Sequence, residues 1–267
     1  MDKRPQPLAA CPAAALAAAH GIFTDIDDTL TRDGAIDPPA LDALHALRAA
    51  GLPVVAITGR PLGWSRPFAL AWPVDAIVAE NGAVALIRDG DVLRTEYVQD
   101  EATRARHMVR LAQAAARVLR EVPGATLARD SAGRVTDIAV DHSEFEHLDD
   151  AGIARVVAVM HDEGMNATVS SIHINGWYGG HDKLSAAHWM TRRLYGRELQ
   201  PEIGRWVYVG DSTNDQTMFA VFPLAVGVAN LQRFADQLHT WPAYIAQGER
   251  GAGFAELVQA LLQARRG

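Results

Sequence analysis

A single cysteine, Cys11, stands in 267 residues. That excludes an internal disulfide and fits a reducing compartment. No stretch approaches the ~18 consecutive apolar residues that a bilayer-spanning helix needs. Positive charge is in short supply: 25 Lys and Arg against 32 Asp and Glu leave a net charge of −7. Nucleic acid and anionic membranes would be repelled by such a chain, so neither is expected as a partner. His142, His147, His161 and His181 lack zinc-ligand spacing and are expected at the surface. There is no internal repeat, and the alanines within 12–19 are the one low-complexity tract. Leu8-Ala9-Ala10-Cys11 resembles a lipoprotein processing box, but no apolar helix precedes it, only Pro5 and Pro7. Residues 1–20 are therefore expected as a loose N-terminal extension, and the protein as cytoplasmic.

What is present is ordinary in bulk and specific in detail. Hydrophobic content of 49% and charged content of 21% suit a globular chain long enough for a core and a second lobe. Gly21 to Thr24 reads as a buried strand ending in Asp25-Ile26-Asp27-Asp28-Thr29. With a strand period of two, Asp25 and Asp27 are expected to point into one small space, costly unless a cation such as Mg²⁺ or a proton lies between them. Asp37-Pro38-Pro39 starts a helix with Asp37 as its cap, and Gly51 closes it. The runs Leu52 to Ile57 and Ala76 to Ala79 are continuous and apolar, as strands covered on both faces are, and end in Thr58-Gly59-Arg60 and Glu80-Asn81-Gly82. A hairpin follows, Val84 to Ile87 with Val92 to Val98, turned by Asp89-Gly90.

The texture changes near residue 100. Glu101 to Glu121 reads as a long helix, Ala125 to Ala128 and Val135 to Val140 as strands, Asp149 to Glu163 as a helix, and Ala167 to Ile174 as one strand. Asn175-Gly176-Trp177-Tyr178-Gly179-Gly180 has the composition of a hinge. The alternation then resumes: a helix from Asp182, the strand Trp206 to Val209 ending in Gly210-Asp211-Ser212-Thr213-Asn214-Asp215, a helix, the strand Leu224 to Val228, and a C-terminal helix. The expected fold is α/β, a doubly wound, Rossmann-like parallel sheet in two parts, 21–98 and 179–267, interrupted by an inserted α+β cap over 99–178. In such sheets ligands bind beyond the strands' carboxyl ends, where all four polar loops fall.

If those loops share one site, it holds Asp25, Asp27, Asp211 and Asp215 with a hydroxyl, an amide and Lys183. So much negative charge calls for Mg²⁺, and the metal with Lys183 would neutralise a transferring phosphoryl group. A carboxylate can attack phosphorus, and its neighbour can move the protons.

The ordered set of Asp25-Ile26-Asp27-Asp28-Thr29-Leu30, Thr58 at a strand end, Lys183 after an insertion, and Gly210-Asp211 to Asn214-Asp215 resembles the haloacid dehalogenase superfamily. The insertion, Glu80-Asn81-Gly82 and Asp182-Lys183 are similar to its type II cap group, which includes Cof-type and sugar-phosphate phosphatases. The resemblance implies Asp25 as nucleophile and metal ligand. It implies Asp27 as general acid/base, with its carbonyl on the metal. Thr58 and Lys183 would hold the phosphoryl group, Asn214 would support Lys183, Asp211 would ligate the metal, and Asp215 would hold a metal-bound water. Asp28 stands where many relatives carry glycine or asparagine.

Arg60, Asn81, His173, Asn175 and Trp177 are candidate substrate contacts, although Asn81 suits a turn and Trp177 suits packing. The expected activity is Mg²⁺-dependent hydrolysis of a small phosphorylated metabolite, a sugar phosphate, through an aspartyl-phosphate. The alternatives are a phosphomutase and, behind it, a phosphometabolite sensor without turnover.

Overall fold

The computed structural model describes residues 4–267. Its main sheet contains β1 (Gly21–Thr24), β2 (Val54–Ile57), β3 (Ala76–Ala79) and the hairpin β4 (Val84–Asp89) and β5 (Val92–Tyr97). A second sheet contains β6 (Asp137–Asp141), β7 (Asn166–Val169) and β8 (His173–Trp177), with Thr126–Leu127 at its edge. The chain then returns to the main sheet with β9 (Trp206–Gly210) and β10 (Leu224–Gly227). The helices are α1 (Pro38–Ala49), α2 (Leu62–Ala71), α3 (Glu101–Glu121), α4 (Asp150–Asp162), α5 (Lys183–Tyr195), α6 (Gln216–Val221) and α7 (Arg250–Ala264).

Across the main sheet the order is Gln6–Pro7, Tyr244–Ile245, β10, β9, β1, β2, β3, β4, β5, parallel as far as β3 and antiparallel in the hairpin. The winding reverses at β1, between β9 and β2. A reversal of that kind opens a crevice at the strands' carboxyl ends. Successive residues explain the continuous apolar runs. Ile22, Val54, Ala56, Val207 and Val209 enter the core on one face of the sheet. Phe23, Val55, Ile57, Trp206 and Tyr208 enter the core on the other.

The second sheet has its own apolar cluster. Leu111, Ala114 and Val118 of α3 and Val156, Val159 and Met160 of α4 pack on Val140 and Ile174. α3 is fixed at its start by Asp100, which accepts the Thr103 N–H at 2.8 Å.

Four readings of the sequence need correction. The N-terminal segment is packed rather than loose, with Leu8, Cys11, Leu16 and Ala19 inside the core and the helix Ala13–Ala17 against α7. Residues 1–3 of that extension lie outside the described residues. The run Ala167 to Ile174 is a hairpin of two strands, because Ser170 turns the chain by accepting the His173 N–H on its hydroxyl at 3.0 Å. Asn175 to Trp177 belong to β8 and are buried, so no hinge begins there. Gly176 serves close packing, since a Cβ there would lie 2.7 Å from the Met160 sulfur. Asp37 occupies the N-cap position of α1, but its carboxylate pairs with Arg32 instead of a helix N–H. Among the described residues no helix is long and apolar enough to cross a membrane.

Candidate active site

Asp25 follows β1 directly, and its Oδ1 lies 2.9 Å from the Lys183 ammonium. The same ammonium donates to Asp215 Oδ1 at 2.7 Å and to Asn214 Oδ1 at 3.3 Å. Lys183 comes into reach because Asp182 caps α5 with a capping box, placing Lys183 in the first turn. Asp25, Asp211 and Asp215 offer carboxylate oxygens that all lie within 4.8 Å of one another, and all three residues are buried. Three carboxylates against one ammonium leave two negative charges, the complement of a single divalent cation. The donor set of hard oxygens fits Mg²⁺.

Burial pushes the Asp25 carboxyl up to about 7, with Lys183 opposing and Asp215 and Asp27 adding to the shift. Asp211 is raised well above the ordinary carboxylate range by burial and by Asp25 and Asp215. Lys183 is raised: burial alone would lower it, but Asp215 and Asp25 outweigh that. Asp215 is the most occupied of the acids. Its Oδ1 accepts from Lys183 and the Tyr208 hydroxyl, and its Oδ2 from the Asp211 and Ser212 N–H groups. That leaves little room for direct ligation and suits the outer position expected for it.

The pH dependence follows from the raised Asp25. Its unfolded value is near 3.8 and its folded value about 7. The stability it contributes is complete below the lower value and is lost as pH rises through the upper one. With chelator present, the melting temperature should fall on the order of 5 °C between pH 5 and pH 8, and Mg²⁺ should remove most of that fall. Equal slopes with and without the ion, measured by thermal unfolding, would remove the metal from this cluster.

Asp27 departs from expectation. Its carboxylate stands apart from the acid cluster, on Arg60, whose Nε donates to both oxygens at 3.0 and 3.1 Å. The strand ends at Thr24 and the chain turns, with Asp28 at φ 53, so the period of two no longer holds. The left-handed backbone also accounts for glycine or asparagine being suited to position 28. Asp28 is held there by Arg250, and its carbonyl accepts from Asn230 at 2.9 Å.

Thr58 is fully buried at the end of β2, its hydroxyl accepting the Arg60 N–H at 3.0 Å. Arg60 continues to the second sheet, pairing with Glu144 at 2.7 Å and Asp130 at 3.3 Å. His173 Nε2 lies 2.8 Å from Glu144. Asn175 donates to the Gly59 carbonyl at 3.2 Å. Trp177 packs on the His181 ring and donates to the His181 carbonyl at 2.9 Å, so it stabilises the chain's return. Arg60 lines a cavity of about 380 Å³, while Asn81 and Trp177 line a different one of about 540 Å³. His173 and Asn175 line neither of the two. His142 and His181, expected at the surface, are buried.

The model of the haloacid dehalogenase-like hydrolase family matches residues 22–118. That stretch carries Asp25, Asp27 and Thr58, whose partners Lys183, Asp211 and Asp215 are supplied by the returning chain. Over that stretch the chain is similar to haloacid dehalogenase-like hydrolases. No curated protein matches it. Among solved structures, a Thermoplasma acidophilum protein superposes with a TM-score of 0.69 at 15% identity, over 91% of this chain and 98% of that one. Sucrose-phosphatase from Synechocystis sp., solved with sucrose and phosphate, gives 0.65 at 17% identity, over 91% and 98%. The C-terminal domain of trehalose-6-phosphate phosphatase from C. albicans gives 0.67 at 12%, over 98% and 99%. At these identities the likeness is one of fold.

Several further residues around the site were given no role by the sequence, Glu80 being noted only within its Glu80-Asn81-Gly82 loop. Glu80 is fully buried and accepts from the Leu62, Val135 and Thr136 N–H groups and the Thr136 hydroxyl, joining β3 to the segment before β6. Arg134, pairing with Asp137 at 2.9 Å, donates to the Gly59 carbonyl, also at 2.9 Å. Tyr208 and Asn230 hold Asp215 and Asp211. Glu80 and Arg134 reach across from distant parts of the chain, to residues 135–136 and to Gly59, while Tyr208 and Asn230 lie nearer their partners but in no motif.

Proposed function

We propose that this protein cleaves the phosphate monoester of a small polar metabolite, a sugar phosphate, by way of an aspartyl-phosphate. The observation that carries the reading is Lys183 bridging Asp25 and Asp215 beside Asp211, at the point where the sheet's winding reverses. Asp25 Oδ attacks phosphorus, the bond from phosphorus to the ester oxygen breaks, and Asp27, which must first leave Arg60 and take a proton from solvent, delivers that proton to the departing alkoxide. Asp27 then takes a proton from water, whose oxygen attacks the aspartyl-phosphate. Phosphate leaves and the Asp25 carboxylate is restored.

Mg²⁺, held by Asp25, Asp211 and the Asp27 carbonyl with Asp215 behind, would neutralise the phosphoryl oxygens. Lys183 keeps Asp25 oriented and adds positive charge on that side, with Asn214 fixing the ammonium. Thr58, whose hydroxyl oxygen accepts from Arg60, has its hydrogen free for a phosphoryl oxygen.

The leaving group is assigned to the cavity of about 380 Å³ bounded by Asp27, Arg60, Ser143, Glu144 and Ser171, a wall rich in groups that bind hydroxyls. Ser143, Glu144 and Ser171 come from the second sheet's loops, so that sheet acts as a cap over the site. Closure would exclude water from the first step.

Phosphate release from a panel of phosphorylated sugars, with Mg²⁺ and with chelator, tests the reading. Chelator-sensitive turnover of one compound at least tenfold above the rest is expected. Release from none, with isomerisation primed by a sugar bisphosphate, would replace hydrolysis by phosphomutase chemistry.

A further inference from the structure

The cavity of about 540 Å³ shares no lining residue with the one assigned to the leaving group. It borders Lys183 and Asn214, and its wall includes Asn81, Thr168, Trp177 and His181. Three of these residues carry buried polar atoms with no partner among the described residues: Asn81 Nδ2, Thr168 Oγ1 and both ring nitrogens of His181. Asn81 is 2% exposed and His181 4%. An unpaired buried donor or acceptor loses its hydration without replacement, so several in one wall are costly unless a ligand meets them.

The backbone is strained where it presents Asn81. Glu80, Asn81 and Gly82 have φ of 51, 55 and 107 in succession. Residues with a Cβ are disfavoured in that left-handed region. Glycine is required at 82, where a Cβ would lie 2.4 Å from the Asp182 carbonyl. The Glu80 carboxylate, with its four donors, holds the turn in place. Strain maintained by surrounding bonds is a mark of functional positions.

The wall offers hydrogen bonds without free charge. Lys183 is taken by Asp25 and Asp215, and the Asp182 carboxylate by the Ser185 N–H at 2.7 Å. His161 is exposed. Burial lowers His181 to about 4, leaving a neutral ring with one donor and one acceptor. An amide N–H, a hydroxyl and a neutral imidazole match groups that both donate and accept, which is the property of alcohols. Trp177 and Met165 supply apolar surface alongside them.

We propose that this second cavity binds an uncharged polyhydroxy compound, a sugar or polyol, through Asn81, Thr168 and His181, with Trp177 against its C–H face. The site stands on its own observations and needs no turnover to be detected. The hydroxyl chemistry could belong to a free sugar or to the distal part of a phosphate ester, and kinetics separate these. A free sugar bound here changes kcat without competing with the ester, whereas a shared moiety competes and raises KM alone.

The test is saturation-transfer NMR on the full chain with chelator and no ester, using glucose, sucrose, trehalose and mannitol as probes. At least one should bind, and Thr168→Val and His181→Phe should each weaken it about tenfold, the loss expected when roughly one hydrogen bond is removed. Thr168→Val is a nearly isosteric change in β7 and keeps the test valid if His181→Phe folds poorly. Binding by none of the four overturns the proposal, as does binding that survives both variants.

Discussion

Asp25→Asn should reduce phosphate release by about 10⁴-fold or more, because the amide oxygen is a poor nucleophile and no other acid reaches its place. Asp211 and Asp215 are close, but Asp215 has both oxygens occupied by four donors, and Asp211 is held by Asn230 and Thr29. Neither is free to attack. Folding should survive, since Asn is isosteric and the change removes one of three carboxylates around a single ammonium. The variant should lose the pH-dependent fall in melting temperature assigned to Asp25. Steady-state phosphate release with Mg²⁺ and thermal unfolding with chelator check the two halves. Retained turnover would remove Asp25 as nucleophile, and an unchanged pH slope would place the titration elsewhere.

Lys183→Met should be the most damaging single change to stability at the site. The ammonium is 3% exposed and bridges Asp25 and Asp215 at 2.9 and 2.7 Å. Removing one partner of a buried pair costs about 3–5 kcal/mol, because the other charge is left in low dielectric. The loss should be on the order of 10 °C in melting temperature at pH 8. It should be smaller at pH 5, where Asp25, already raised to about 7 with Lys183 in place, takes a proton and needs no counter-charge. Turnover should fall about 10³-fold, through lost phosphoryl neutralisation and a misaligned Asp25. Unfolding scans at both pH values decide the matter, since an equal loss at each would mean that Lys183 acts through packing alone.

The main sheet could be read from the sequence because its strands are covered on both faces. Ile22 and Phe23, or Val207 and Tyr208, are neighbours that serve opposite cores, and both must be apolar. The order of the four polar loops was legible for a related reason: parallel strands bring their carboxyl ends to one side whatever their lateral order. The direction of side chains beyond a strand's last hydrogen bond was not legible. Asp27 turned to Arg60 because the backbone leaves extended geometry at Asp28. Helix α2 was missed, its apolar positions Trp64 and Phe68 being interrupted by Pro67. The buried places of Leu8 and Leu16 depend on Tyr244–Ile245 and on α7, almost the whole chain away. The same holds for Glu80, whose partners at 135 and 136 are set by the path of the second sheet.

The position of β1 has a consequence for how the molecule is made. Its two neighbours are β2, some thirty residues later, and β9, nearly two hundred residues later. A chain emerging from its N-terminus can therefore pair only one edge of its central strand until most of synthesis is complete. Through that interval Ile22 and Phe23 lack Val207 and Tyr208, and Asp25 lacks Lys183. The parallel arrangement gives late, non-local closure, and the open apolar edge is the part of the nascent protein most exposed to wrong partners. The acid cluster thus doubles as a marker of completion: its carboxylates gain their counter-charge only when the last third of the polypeptide has arrived.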